Sequence, residues 1–206
     1  TPSITVTDNQ GNTYSKLQVL LGTLYITCWY CTNIRMPNAG GLTLTFANTG
    51  VLEFSAQEFS GVDWVNPIKV YKPGIASSTT SLALTTNGGN GLPTVLNPTN
   101  GDTVVAALAL ATTTGTLSFT VPTSSTTGSF SLLNQQLYTT TGRIPGTLGY
   151  AVAATPGDQN VTYTFPSGDA LGLIYVLQGL LQKRIRCVID GSAQGATGVV
   201  ATVYLP

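Results

Sequence analysis

The sequence predicts an all-β protein, an antiparallel β-sandwich or jelly roll, on three observations. Apolar and polar residues alternate in many short runs, such as Leu42-Thr43-Leu44-Thr45-Phe46 and Val161-Thr162-Tyr163-Thr164-Phe165, the mark of strands with one buried face. Clusters of Asn, Asp, Gly and Pro punctuate those runs at short intervals, which supplies turns. No long stretch carries the three-to-four spacing of an amphipathic helix. Two inner sheet faces would then pack Leu, Phe, Tyr and Val side chains about 10 Å apart.

The elements follow in order. Ile4-Thr5-Val6-Thr7 is a strand, Asp8-Asn9-Gln10-Gly11-Asn12 a turn, and Thr13 to Leu21 a second strand, giving a hairpin. Leu24 to Cys31 is rich in aromatic and β-branched residues. With Leu42–Phe46 and Val51–Phe59 it makes three adjacent antiparallel strands at the centre of a sheet. Trp64 to Gly74 reads as an irregular connection with a short extended piece. Ser77 to Ser81 is a Ser/Thr tract before Leu82-Ala83-Leu84, and Asn87-Gly88-Gly89-Asn90-Gly91 is a flexible turn.

Thr103 to Leu110 is apolar on both faces. Its flanking turns and short length favour a strand buried between two layers over a helix. Strands are expected again at Leu117–Val121, from Phe130 towards Tyr138, at Tyr150–Ala154 and at Val161–Phe165. Leu171 to Gln178 is a buried run that could extend into a helical turn through Leu180 and Leu181. Lys183–Asp190 and Gly198–Leu205 are two further strands.

The chain has 206 residues, 42% hydrophobic and 8% charged, with eight Lys and Arg against eight Asp and Glu. It is long enough to bury a large core, and apolar residues are too plentiful for disorder. A net charge of zero argues against a nucleic-acid partner, which calls for a basic face. It favours association with other protein surfaces. No run of about eighteen apolar residues predicts a membrane span. Thr1-Pro2-Ser3-Ile4 lacks the basic-then-apolar pattern of a signal peptide and fits a processed product.

The order of four motifs resembles a family of exported bacterial and phage β-sandwich domains. They are Val6-Thr7-Asp8-Asn9-Gln10-Gly11-Asn12-Thr13-Tyr14, Trp29-Tyr30-Cys31-Thr32-Asn33, Leu42-Thr43-Leu44-Thr45-Phe46 and Glu58-Phe59-Ser60-Gly61-Val62. Asn100-Gly101-Asp102 before an apolar strand, and Leu171–Gln178, add to the likeness. It spans roughly residues 3 to 179. The resemblance implies a β-sandwich module over 1–179, a place in surface, secreted or virion structural proteins, and no defined reaction. Two departures stand out: Cys31, where the family carries a small residue, and the extension 180–206. That extension is expected to pack on the module or to be exchanged between subunits.

Candidate chemistry is sparse. Without histidine there is neither a Ser-His-Asp triad nor a Cys-His dyad. Cys28 and Cys31 lie three apart, so on a strand their thiols diverge, and with Cys187 they fall short of a four-ligand zinc site. Two readings of the thiols stand: three buried cysteines, or a disulfide joining Cys187 to Cys28 or Cys31. Glu53, Glu58 and Asp63 are the clustered carboxylates, but Glu53 and Glu58 differ by an odd number and face opposite sides of a regular strand. Asp8, Asn9 and Asn12, and more loosely Asp158 with Asp169, have calcium-ligand chemistry, against which stands ordinary turn bonding. Asn160-Val161-Thr162 fits a glycosylation sequon.

The expectation is therefore a non-catalytic structural subunit, without cofactor or metal, of an extracellular or cell-surface assembly. Strand edges would hold it together as a homo-oligomer or polymer. Ile4, Val6, Lys183, Arg184, Arg186, Val199 and Val203 are the expected contact residues, the three basic ones as the single basic cluster. A phage virion protein meeting capsid or tail proteins is the alternative. A carbohydrate-binding module stacking sugars on Trp29, Trp64 or Tyr71 is the third.

Overall fold

Alternation in sequence becomes alternation in burial. Leu42, Leu44 and Phe46 are buried while Thr45 and Ala47 are exposed. The computed structural model describes residues 5–21, 24–37, 41–47, 52–91, 94–111, 126–136, 146–192 and 199–203. Their strands are β1 (Thr5–Asp8), β2 (Ser15–Leu21), β3 (Leu24–Thr32), β4 (Leu42–Ala47), β5 (Leu52–Val62), β6 (Ile68–Thr85), β7 (Thr103–Ala111), β8 (Ser131–Gln136), β9 (Gly146–Val152), β10 (Asn160–Leu177), β11 (Gly179–Ser192) and β12 (Val199–Val203). No helix occurs among the described residues, and the chain is all-β.

The strands form three antiparallel sheets, ordered β1-β4-β12, β2-β3-β11-β5 and β6-β10-β7-β9-β8. The four- and five-stranded sheets face each other across one core. Ile26, Cys28 and Phe59 meet Val105, Ala107, Leu171, Leu173 and Tyr175 there. Phe59 sets its ring edge against Tyr150, centroids 5.9 Å apart at 76°, a favourable aromatic geometry. On the far face of the four-stranded sheet, Trp29 packs with Val6, Leu42, Leu44 and Phe46 of the three-stranded sheet. β3 thus buries side chains on both faces, which explains its nearly unbroken apolar sequence.

β7 does the same in the five-stranded sheet. Val105, Ala107 and Ala109 face the shared core, while Val104, Ala106, Leu108 and Leu110 face a second one. The helical alternative for this run is excluded, and it is the interior strand its composition predicts.

β6 and β10 form a ladder of eighteen residues each that bends in the middle. Pairing slips between Thr164, Gly168 and Ala170. There Ser78 adopts a left-handed φ of 51°, and its N–H donates to Asp169 Oδ1 at 2.9 Å. The bulge turns the distal half back over the proximal half. Gly74 and Gly172 are directly opposed in the ladder, and a Cβ on Gly172 would lie 2.8 Å from Leu84 and 2.9 Å from Leu82. Only glycines allow the two layers to approach so closely. Tyr163 then reaches across, its hydroxyl donating to Ala106 O at 2.9 Å. Burial raises its pKa above the ordinary phenol value, so it remains a neutral donor.

Several expected connections are corrected. The first two strands do not form a hairpin, since β1 pairs with β4 and β2 with β3, in different sheets. β3 and β5 flank β11, and β4 belongs to another sheet, so those three are not ladder neighbours. Trp64 to Pro67 is irregular as expected, but from Ile68 the rest of that connection and the Ser/Thr tract are one strand, β6, and the runs 161–165 and 171–177 are one strand, β10. Leu180 and Leu181 lie in β11 and not in a helical turn. The expected strand at Leu117–Val121 and the continuation through Leu137 and Tyr138 lie outside the described residues.

Candidate association surface

Open sheets end in margin strands, and a margin displays backbone N–H and C=O groups to any strand that can align with them. Among the described residues the margins are β1 and β12, β2 and β5, and β6 and β8, and one stretch of them is covered. Tyr71 N donates to Asn90 O at 2.6 Å, Asn90 N to Tyr71 O at 2.8 Å, and Leu96 N to Lys69 O at 3.0 Å. That covering stops short of the distal half of β6.

Charged or proline residues on a margin discourage pairing with other chains. They are scarce on β1, β8, β12 and the distal half of β6, whereas β2 carries Lys16, β5 carries Glu53 and Glu58, and proximal β6 carries Lys69, Lys72 and Pro73. β8 reads SLLNQQ and β12 reads VVATV, β1 carries only Asp8, and β6 has no charged residue after Lys72. Thr5 and Thr7 on β1, and Ser77, Thr80, Ser81 and Ala83 on β6, are exposed.

The expected contact residues are divided by this arrangement. Ile4 lies outside the described residues. Val6 is buried against Trp29 and Phe46, so β1 can offer its backbone and its threonines but not the Val6 side chain. Val199 and Val203 end β12, opposite Phe46 and Leu42. Lys183, Arg184 and Arg186 lie in β11, the strand between β3 and β5, with Arg186 opposite both Cys31 and Glu58. The segment expected as an extension therefore supplies an interior strand. Cys28 and Cys31 are buried, and Cys28 belongs to the core between the larger sheets. Cys187 is opposed to Tyr30 and Gln57 in the ladders, not to either of the other cysteines.

The described carboxylates with assigned partners hold chain in place, Asp8 its own turn and Asp63, Asp102, Asp158 and Asp169 segments distant in sequence. Asp8 Oδ1 accepts from the backbone N–H of Gln10 (2.8 Å) and Asn12 (3.0 Å). Its Oδ2 accepts from Asn12 Nδ2 (2.7 Å) and the Tyr14 hydroxyl (2.6 Å). Partial burial works against the charge, but these four hydrogen bonds outweigh it and hold the carboxyl below its ordinary value. Asn12 also bridges to Arg35 through both its amide atoms, and Asn9 does so to Gly41 and Thr43. The residues considered for calcium thus form the corner between two sheets. Asp158 and Asp169 stand at different ends of the distal β6–β10 ladder, on Thr86 and Ser78 respectively. No group of three or more His, Cys, Asp or Glu able to hold a metal ion occurs among the described residues. Glu53 stands opposite Gly191 in the ladder, and Glu58 is half-buried.

Two groups lie where sequence gave little sign of them. Lys69 Nζ sits 2.7 Å from Asp102 Oδ2, with side chains only 11% and 6% exposed. Thr99 donates its N–H (2.6 Å) and hydroxyl (3.0 Å) to the same oxygen. This pair ties β6 to the start of β7 across β10. Beside it, Gln178 crosses from one sheet to the other. Its N–H donates to Pro67 O at 2.9 Å, its carbonyl accepts from Asp63 N at 2.8 Å, and its side chain donates to Asp63 Oδ2 at 3.3 Å. Asn100-Gly101-Asp102 was visible as a turn, but no local pattern shows that Asp102 would meet a lysine more than thirty residues away.

Of the aromatic platforms, Trp29 is buried, with Lys16 Nζ 5.6 Å from its ring centroid, and is unavailable to a sugar. Trp64 is 43% exposed and Tyr71 is half-buried. No helix among the described residues is long and apolar enough to cross a membrane. Comparison with protein-family models, characterised proteins and solved structures yields no match to this chain.

Proposed function

We propose that this chain is a non-catalytic structural subunit of an extracellular protein assembly, a surface fibre or adhesive layer, and that it joins its neighbours through the margins of its sheets. The observation that carries this reading is the nearly uncharged edge of β1, β8, β12 and the distal half of β6. Such edges accept a strand from a neighbour through main-chain hydrogen bonds. A net charge of zero leaves little repulsion between copies. The resemblance of the motif order to exported structural domains supports the same reading, as does the structural work of the carboxylates at Asp8, Asp63, Asp102 and Asp169.

The test is to charge the margins. Thr7→Lys with Ala83→Lys places ammonium groups at exposed positions of β1 and β6. Light scattering and negative-stain microscopy of the purified chain should show ordered assemblies, and the charged variant should lower the assembled mass about tenfold at equal concentration. Far-ultraviolet circular dichroism should be unchanged. Dispersed single molecules at all concentrations, or assemblies indifferent to both lysines, would overturn the reading.

A further inference from the structure

β11 is an interior strand contributed by a late segment of the chain. From Ile185 to Ser192 it pairs with β3 on one side, and from Arg184 to Ser192 with β5 on the other. Among the described residues β5 has no other ladder partner. β12 follows and pairs with β4 in the neighbouring sheet. Among the described residues up to Leu177 there is thus a strand-wide slot between β3 and β5 and an open flank on β4, which β11 and β12 fill.

The connection into that segment is short. β10 ends at Leu177 and β11 begins at Gly179, so Gln178 alone separates interior strands of two facing sheets. Gln178 is fixed by Pro67 and Asp63. Beyond it the register slips: Gly179 opposes Val62, but the next pair is Arg184 with Ser60. Five steps along β11 match two along β5, and the excess falls at 180–183. A short crossing without slack, followed by a slip in register, is where a segment can swing to a different body while keeping its contacts. The ladders in the exchanged form are those of the closed form, so the balance rests on the hinge and on protein concentration.

We propose that β11 and β12 of one copy fill the β3–β5 slot and the β4 flank of a second copy, and that this exchange links subunits. The proposal rests on the self-association argued above and names the segment that performs it. The partner is a second copy of this chain, recognised by strand register and not by charge.

Gln57 and Cys187 are directly opposed in the β5–β11 ladder, which allows a test on the full chain. An acceptor copy carries Gln57→Cys and Cys187→Ser, and a donor copy keeps Gln57 and Cys187. The two are refolded together and oxidised. Exchange predicts a disulfide-linked mixed dimer on a non-reducing gel, absent when the acceptor carries Cys187→Ser alone. The single variant Gln57→Cys predicts linked multimers. Thiols that join only within one chain, in a protein that still assembles, overturn exchange and leave margin association standing. A chain that never associates overturns both. A Gly-Ser-Gly insertion after Gln178 gives an independent reading: relaxing the hinge should lower the assembled fraction about tenfold, and an unchanged fraction overturns the proposal even if no disulfide forms in any variant.

Discussion

The five-stranded sheet and the two smaller sheets bury the same kinds of residue but are assembled differently. In the five-stranded sheet, β7 and β10 are apolar on both faces, and the β6–β10 ladder folds over one of those faces. In the smaller sheets, among the described residues, β3 and β5 are joined through β11 alone, and β1 and β12 meet at β4 alone. The first region spreads its stability over many ladders and two cores. The second depends on a segment that enters late in the chain, so its loops must close over long separations before any contact forms. A protein whose sheets can be completed from elsewhere gains a means of joining copies at the expense of local stability.

The sharpest way to break that contrast is a pair of cavity variants. Ile174 is fully buried in the large core of the five-stranded sheet, and Ile174→Ala should cost about 4 kcal/mol. Leu44 is also buried, but in the small cluster that Trp29, Val6, Leu42 and Phe46 complete. A thin cluster collapses more readily around a cavity, so Leu44→Ala should cost about 2 to 3 kcal/mol. Hydrogen exchange adds a regional reading: amides of β4 should open at lower free energy than those of β10. Equal costs and equal protection in denaturant titrations would erase the distinction.

A polar fastener in each region sharpens it further. In the five-stranded sheet, Lys69→Met leaves Asp102 buried with only Thr99 as donor. Stranding a charge there should cost about 3 kcal/mol. Lys69→Met with Asp102→Leu removes both charges and should recover most of the loss, as measured by urea unfolding. A double variant as unstable as the single one would show that the pair holds β6 to β7 by more than charge neutralisation.

The regions also differ in how far their sequence disclosed them. The all-β class was legible throughout, because each strand writes its own alternation, and β7 was readable as interior from its apolar faces. Pairing was not legible. Val6 and Phe46 are partners across forty residues, and nothing in either neighbourhood encodes the other. The bend in β6 was hidden because Ser77-Ser78-Thr79-Thr80 resembles a linker, while what keeps it strand is its ladder with β10, with Asp169 of that distant segment holding Ser78 at the bulge. The Asp8 motif is visible as a turn but does not make a hairpin, since a turn fixes where a chain reverses and not which sheet receives it. The candidate association surface was partly legible: scarce charge showed in composition, whereas the interior place of β11 required the fold.

Asp8 is the corresponding fastener of the smaller sheets, joining the end of β1 to the start of β2, and its effect should be the smallest. Its hydrogen bonds from Tyr14, Asn12 and Gln10 depress the carboxyl below its ordinary value of 3.8. A depressed folded pKa means that the unfolded chain takes up the proton first, so the stabilisation is complete above about pH 5 and fades as pH falls through the folded pKa. Asp8→Asn abolishes this titration and places an amide NH2 near donors that the carboxylate had satisfied. The native chain should therefore melt a few degrees above the variant near neutral pH, about the effect of 1 kcal/mol in a chain of this size. The gap should narrow steadily in acid. Because the corner belongs to the region that relies on β11 and β12, amides of β1 and β4 should lose protection before those of β7 and β10 as the proton binds. A gap independent of pH, or acid loosening that begins in the five-stranded sheet, would assign the corner a purely steric role.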